Sequence, residues 1–157
     1  MRRIGMFYYM LAFVMGLAIA LQAPINAALA RSLDNTPIMA AVVSFVIGSA
    51  CLIAIAFFSH SLNFHTLKAL TQQNWWKFLG GILGAFFVFG SIMLAPKIGL
   101  INMFILALMG QLVTSVVLDS IGAFELSVRA ISWQKIVGLC VMFVGLGIFF
   151  QKELFSQ

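Results

Sequence analysis

Long apolar segments separated by short polar turns dominate this sequence. Five of them have the length of membrane-spanning helices or nearly so, at about residues 4–30, 37–58, 78–96, 98–124 and 135–151. A helix needs roughly 20 apolar residues to cross the hydrocarbon core of a bilayer, so five crossings use nearly the whole chain. We therefore predict an all-α integral membrane protein with a single transmembrane domain over residues 1–157.

Polar residues and prolines mark the predicted ends of these helices. Thr36 followed by Pro37 is typical of an N-cap and a first helical position, so the second helix should begin there. Proline cannot continue the hydrogen-bond pattern of a helix, so the third helix should stop at Pro96-Lys97. The fifth segment is the shortest, and Lys135 and Lys152 at its two ends can snorkel to lengthen it.

The longest connection lies between the second and third segments. Leu62, Phe64, Leu67 and Leu70 recur in it at nearly helical spacing, and it ends in Trp75-Trp76, residues that favour the headgroup zone of a membrane. This pattern favours an interfacial helix at about residues 60–74. An ordinary loop is the alternative, because Gln and Asn residues dilute the apolar spacing.

Composition supports the membrane assignment. The chain is 63% hydrophobic and 8% charged, with a mean hydropathy of +1.11, whereas about a quarter of the residues of a soluble domain are charged. The net charge of +5 does not indicate nucleic acid, because the nine Lys and Arg residues are scattered at the ends of apolar segments. Cys51 and Cys140 both lie within apolar segments, so we expect neither a disulfide nor a metal site.

The basic residues predict the orientation of the chain. Five crossings place six Lys and Arg residues on the side of the N-terminus and three on the other side. The first set is Arg2, Arg3, Lys68, Lys77, Arg129 and Lys135, and the second is Arg31, Lys97 and Lys152. The N-terminus is therefore expected in the cytoplasm, and the small excess also permits insertion in both orientations.

Two groups of polar residues lie inside the apolar segments. Gln22 and Asn26 are four residues apart and share a helix face, and Pro24 between them removes a backbone hydrogen bond. Gln111 and Ser115 lie on the fourth segment at the same spacing. Because amides in hydrocarbon must face protein or water, these four polar residues are candidate solute ligands. The alternative is that they are structural and bond to neighbouring helices.

Asp119 continues the polar series of the fourth segment, and it is the one acid well inside an apolar segment. It is the candidate for proton or cation coupling. Its position near the helix end leaves a second interpretation open, in which the carboxylate is hydrated or pairs with Arg129 or Lys135.

Glycines indicate helix packing. Gly80 and Gly84 form a small-xxx-small pair, and Gly138 and Gly145 lie on one face of the fifth segment. Either pair could pack within one chain or between two chains.

No catalytic motif is present in the sequence. It contains no nucleophile and base pair, no phosphate-binding glycine loop and no metal-spaced His/Cys cluster. His60 and His65 fall in the long connection, where a solvated position is expected. We predict no enzyme activity, no cofactor and no metal.

Several segments together resemble the YdcZ family of the drug/metabolite transporter superfamily. They are Leu21-Gln-Ala-Pro-Ile-Asn26-Ala-Ala-Leu29, Val43-Ser-Phe45 with Gly48, Pro96-Lys-Ile-Gly99, Gly110-Gln111 with Asp119 and Gly122, and the Gly138 to Gly147 stretch. The resemblance implies a bacterial inner (plasma) membrane protein. It also implies a five-helix unit that forms one inverted-repeat half of a ten-helix transporter.

An odd number of crossings implies that such a half needs an inverted partner, either a second copy in dual topology or a separate inverted relative. The resemblance further implies transport of a small molecule by alternating access. Related small multidrug-resistance transporters carry a glutamate in their first helix, where this chain has Gln22 and Asn26. A small neutral or zwitterionic metabolite is therefore the expected solute. A passive channel of similar dimeric build and a non-transporting membrane subunit are the alternatives.

Overall fold

The computed structural model describes residues 2–125, 127–128 and 130–151, and the elements in these ranges are all helical. Four of these helices are long, one is short and one is of intermediate length, and two 3₁₀ turns lie in the connections between them. The α-helices are α1 (Arg2–Ser32), α2 (Pro37–Phe58), α3 (Phe64–Leu70), α4 (Leu79–Ile98), α5 (Leu100–Ile121) and α6 (Trp133–Phe149); the 3₁₀ turns are Trp75–Phe78 and Ala123–Glu125.

Within the described residues, four segments are long and apolar enough to cross a membrane: Met6–Ser32, Pro37–Phe58, Trp75–Ile98 and Leu100–Ile121. The prediction of an all-α membrane protein is confirmed to this extent. The remaining apolar helix, α6, has 17 residues, and its length of about 26 Å falls short of a hydrocarbon core of roughly 30 Å.

Helix ends differ from the predicted positions where a glycine adopts a positive φ angle. α4 continues through Pro96 to Ile98 and ends at Gly99, whose φ angle is +84°. The helix therefore ends one residue beyond the predicted stop at Pro96-Lys97. A proline within the last turn removes only the bond to the Ile92 carbonyl, while the Gly99 amide still donates to the Ala95 carbonyl at 3.1 Å.

A glycine with a positive φ angle also ends α5. The fourth helix was expected to reach residue 124, but it ends at Ile121, because Gly122 (φ +61°) turns the chain away from the helix. Phe124, at φ +57°, interrupts the short 3₁₀ turn that follows.

The expected N-cap at Thr36 is only partly realised. Its side chain makes no capping hydrogen bond, although Pro37 does occupy the first position of α2.

The long connection contains a helix that is shorter than the one favoured by the sequence. α3 covers seven residues of the predicted 60–74. The Asn63 side chain caps it by accepting hydrogen bonds from the Thr66 amide at 2.9 Å and the Thr66 hydroxyl at 3.0 Å. Phe64 and Trp75 are both strongly exposed, at 83% and 75%. Large apolar groups are thus present on this connection, as an interfacial segment requires.

The first compact unit is Met1–Met103, in which α1, α2 and α4 pack against one another. Most of the packing between these helices lies where α1 ends, α2 begins and α4 ends. The buried residues of these three helices are Ala23, Asn26, Ala27, Ala30, Ala40, Ala41, Val88, Ser91, Ile92 and Ala95. Alanines form more than half of this set, and small side chains allow close approach of helix backbones. The opposite halves of the three helices are exposed.

The second compact unit is Phe104–Gln157, which contains most of α5 and all of α6. Arg129 and Lys152, which the sequence counts as topology signals, lie outside the described residues.

Candidate functional site

A hydrogen bond joins α1 and α2 at the packed end of the first unit. The Asn26 side-chain amide donates to Ser44 Oγ at 3.2 Å, and Asn26 is only 5% exposed. Asn26 therefore links two helices, as the structural interpretation of these amides expects. Buried amides are stabilised when they bond in this way, because hydrocarbon offers them no other partner.

Gln22 lies one helical turn before Asn26 but in a different environment. Its side chain is exposed, whereas the next residue, Ala23, is 3% exposed. The Gln22 side chain makes no hydrogen bond to any residue within the described ranges. Gln22 thus lies at the boundary on α1 between the packed end of the helix and its exposed half.

Pro24 lies between these two amides without interrupting α1, which is one continuous helix from Arg2 to Ser32. Proline has no N–H, so the Ala20 carbonyl loses its ordinary intrahelical donor. The sequence suggests a loosened turn here, and in the structure the helix continues on both sides of Pro24 with one carbonyl released. Pro24 itself is half-buried and faces a pocket shared with Pro96 of α4.

The three candidate site residues of α5 belong to the second unit. Gln111, Ser115 and Asp119 all lie within the helix, so their four-residue spacing places them in a stripe along it. Gln111 and Ser115 are exposed, and Asp119 is half-buried two residues before the helix ends. Arg129, one of the two expected partners of Asp119, lies outside the described residues.

Neighbouring hydroxyls on α5 bond to their own helix. The Thr114 hydroxyl donates to the Gly110 carbonyl at 2.8 Å, and the Ser120 hydroxyl donates to the Val117 carbonyl at 2.7 Å. Such bonds satisfy a hydroxyl within hydrocarbon and leave it unavailable to a ligand unless it rotates.

One of the four predicted packing glycines meets another helix in this chain. A Cβ atom at Gly84 would lie 3.7 Å from the ring of Phe45 on α2. At Gly80, Gly138 and Gly145 a Cβ atom would meet nothing within 4 Å. Gly84 therefore contributes to the contact between α4 and α2, and the other three present open backbone surface among the described residues.

Two polar residues of the packed end were not singled out from the sequence. Ser44 accepts the Asn26 bond, and Ser91, 7% exposed, donates to the Val88 carbonyl at 2.8 Å. Both are isolated serines in apolar helices. A serine of this kind is usually satisfied by its own helix, so the pattern of polar positions contains no signal for a partner on another helix.

Comparisons with known proteins place the chain in a family. Residues 7–148 match the family described as "Putative inner membrane exporter, YdcZ". The chain is also similar to the Escherichia coli (strain K12) protein named "Inner membrane protein YdcZ", with 26% identity over 113 residues, which is 71% of this chain and 74% of that protein. No solved structure matches it.

The family match covers most of the chain, including most of α1 and all of α2, α4 and α5, together with the residues on which the resemblance was based. Long apolar helices and an inner membrane relative agree on the location of the protein. This chain therefore belongs to the YdcZ family of the drug/metabolite transporter superfamily and is an integral protein of the inner membrane.

Proposed function

We propose that this chain forms half of an inverted dimer that moves a small neutral or zwitterionic metabolite across the inner membrane by alternating access. The family is described as an exporter, so outward movement is the proposed direction. The observation that carries the proposal is the exposed Gln22, one turn from the buried Asn26, which bonds to the half-buried Ser44.

The environment of Gln22 supports a solute pathway beside α1. An unpaired amide in hydrocarbon costs several kcal/mol, so in the membrane Gln22 must face water or another protein surface. The Asn26 bond holds the α1 backbone close to α2 directly beside it. Gln22 would thus be a ligand on a rigid support. Gln111 and Ser115 are the proposed ligands of α5, and Asp119 is its proposed coupling or pathway residue.

The inverted partner depends on α6 as a fifth crossing. Its 17 residues lie at the lower limit for a spanning helix, and Trp133 and Lys135 at its start are residues that anchor helix ends at the headgroups. With five crossings, two copies in opposite orientations reproduce the inverted repeat of larger transporters. Open backbone at Gly80, Gly138 and Gly145 provides surfaces on which such a partner could pack closely.

The solute class follows from the chemistry of the proposed ligands. The candidate solute ligands of α1, Gln22 and Asn26, are amides, which donate and accept hydrogen bonds but carry no charge. A cationic substrate would lack a counter-charge on this helix. Amides can bind neutral or zwitterionic groups without a counter-charge on this helix.

Transport is tested by counterflow in proteoliposomes that contain the full chain, with radiolabelled glycine betaine and neutral amino acids as probes. Saturable counterflow that is lost in Gln22→Ala supports the proposal. The matched control is Gln72→Ala in the connection after α3, which should transport normally. Flux that rises linearly without counterflow would instead indicate a channel, and normal transport by Gln22→Ala would remove Gln22 from the site.

The inverted arrangement is tested separately, with C-terminal fusions to two reporters, each active on only one side of the membrane. Activity of both reporters supports a dual-topology homodimer. Activity of only the external reporter directs the search to an inverted relative. Activity of only the cytoplasmic reporter would contradict an odd number of crossings with the N-terminus inside.

A further inference from the structure

A pocket with two basic side chains lies at the packed end of the first unit, away from Gln22. It has a volume of about 310 Å³ and is formed by the end of α1, the turn to α2 and the end of α4. Arg31 and Lys97 both line it, together with Asn35, Pro37 and an apolar wall that includes Ile92 and Met93. Two cations thus share one concave surface, although they are far apart in the sequence.

The residues that line this pocket include no acid. Asp34 is the acid of the same turn, but it is exposed and does not line the pocket. Neither cation forms an ion pair within the part of the chain that the structure describes. The pocket therefore concentrates positive charge that no ion pair with a described carboxylate neutralises.

An apolar extension adjoins the charged part. A second pocket of about 160 Å³ shares Ala27, Arg31 and Pro96 with the first and reaches Pro24 and Leu100. Apart from Arg31, its lining is apolar. A ligand that fills both pockets would need an anionic group joined to a hydrocarbon portion.

The position of these cations in the membrane also needs an explanation. Arg31 and Lys97 are two of the three basic residues that the sequence assigns to the outer side, where the positive-inside rule does not favour them. Each lies in the last turn of a long helix, and the negative end of the helix dipole there stabilises a cation. That explanation concerns stability alone and predicts no ligand.

We propose that Arg31 and Lys97 bind the phosphate group of an amphipathic anion, whose apolar portion lies against Pro24, Ala27 and Pro96. Arginine offers a planar fork of N–H donors that matches phosphate geometry, and lysine adds a point charge. The phosphate can belong to a membrane lipid or to a soluble phosphate ester. This site does not depend on the transport mechanism proposed above, because it uses none of its residues.

Binding is measured from the thermal midpoint of the full chain in detergent, which rises with the concentration of a ligand that prefers the folded state. The probes are hexyl phosphate, inorganic phosphate, phosphatidylglycerol and phosphatidylcholine. The test variant is Arg31→Gln with Lys97→Gln, and the matched control, which removes two exposed cations elsewhere, is Lys68→Gln with Lys135→Gln.

We expect the test variant to weaken phosphate binding by roughly fivefold for each cation removed and the control to change it by less than about twofold. Asp34→Asn should strengthen binding, because it removes a nearby negative charge while the pocket stays intact. This gain keeps the test informative if the double variant folds poorly.

The four probes also identify the source of the phosphate. A preference for phosphatidylglycerol over phosphatidylcholine, with no response to hexyl phosphate, assigns the site to a lipid headgroup. Saturation by hexyl phosphate assigns it to a soluble ester. If no probe distinguishes the test variant from the control, the proposal is wrong, and the cations serve only the ends of their helices.

Discussion

The Asn26 side-chain amide on α1 donates a hydrogen bond to the Ser44 hydroxyl on α2 across 3.2 Å. Both residues lie in spans whose remaining surface is almost entirely apolar, so this bond gives two otherwise similar helices a defined rotation relative to each other. The neighbouring amide, Gln22, takes no part in it and is exposed. Two amides that look equivalent in the sequence thus have different structural roles.

The first prediction concerns the strength of this bond. In a double-mutant cycle of Asn26→Ala and Ser44→Ala, we expect a coupling of about 0.6 kcal/mol, up to roughly 1.7 kcal/mol, which is the range for hydrogen bonds between membrane helices. Unfolding of the full chain by sodium dodecyl sulfate in mixed micelles measures it. The control cycle uses Ser49→Ala, an exposed serine on the same helix, and should show no coupling with Asn26.

The second prediction concerns the close approach of helices at the packed end. Ala40 is 0% exposed and belongs to the core with Ala30, Val88 and Ile92. Ala40→Leu should reduce the free energy of unfolding by about 1–3 kcal/mol, because added methyl groups force packed helices apart. Ala50→Leu, on the exposed half of α2, should change it by less than about 0.5 kcal/mol. Equal effects in the two variants would contradict the packing described here.

The third prediction concerns the turn between α4 and α5. Gly99 has φ +84° and ψ 152°, a region that side chains other than hydrogen rarely allow. Gly99→Ala should therefore destabilise the chain by roughly 1–3 kcal/mol. In Gly90→Ala the added methyl meets nothing within 4 Å, and alanine favours the helix, so this control should be neutral or stabilising. A neutral Gly99→Ala would indicate a different turn.

The fourth prediction rests on the proposed solute pathway. With Cys51 and Cys140 replaced by alanine, Gln22→Cys should react with a water-soluble maleimide in intact membranes, because thiolates form in water and not in hydrocarbon. Leu21→Cys, at nearly the same depth but 100° around the helix, should react much more slowly. Labelling that is equally slow at both positions would show that no water reaches Gln22.

Local properties of the sequence account for most of the helices. Segment length and the scarcity of charge predict where membrane helices lie, because each residue contributes independently to transfer into hydrocarbon. The ends of the helices are harder to predict. Pro96 removes one backbone hydrogen bond near the end of α4, yet the helix continues past it to Ile98. Gly99 and Gly122 set the ends of α4 and α5 through their φ angles.

The candidate site was predicted only in part. Spacing places Gln22 and Asn26 on one face, and Gln111, Ser115 and Asp119 in one stripe, because helical periodicity is a local property. Spacing contains no information on which of the two α1 amides is buried. That depends on where α2 and α4 cross α1, which in turn depends on small residues distributed over three helices.

The sequence by itself determined that this protein is an apolar, all-helical membrane protein of the YdcZ family and which polar residues lie within its spans. Only the tertiary structure decided that Asn26 bonds to Ser44, that Gly84 meets Phe45, and that Arg31 and Lys97 line one pocket. The reason is physical. Membrane insertion sums contributions along a segment, whereas contacts between segments depend on the rotation and crossing of packed helices.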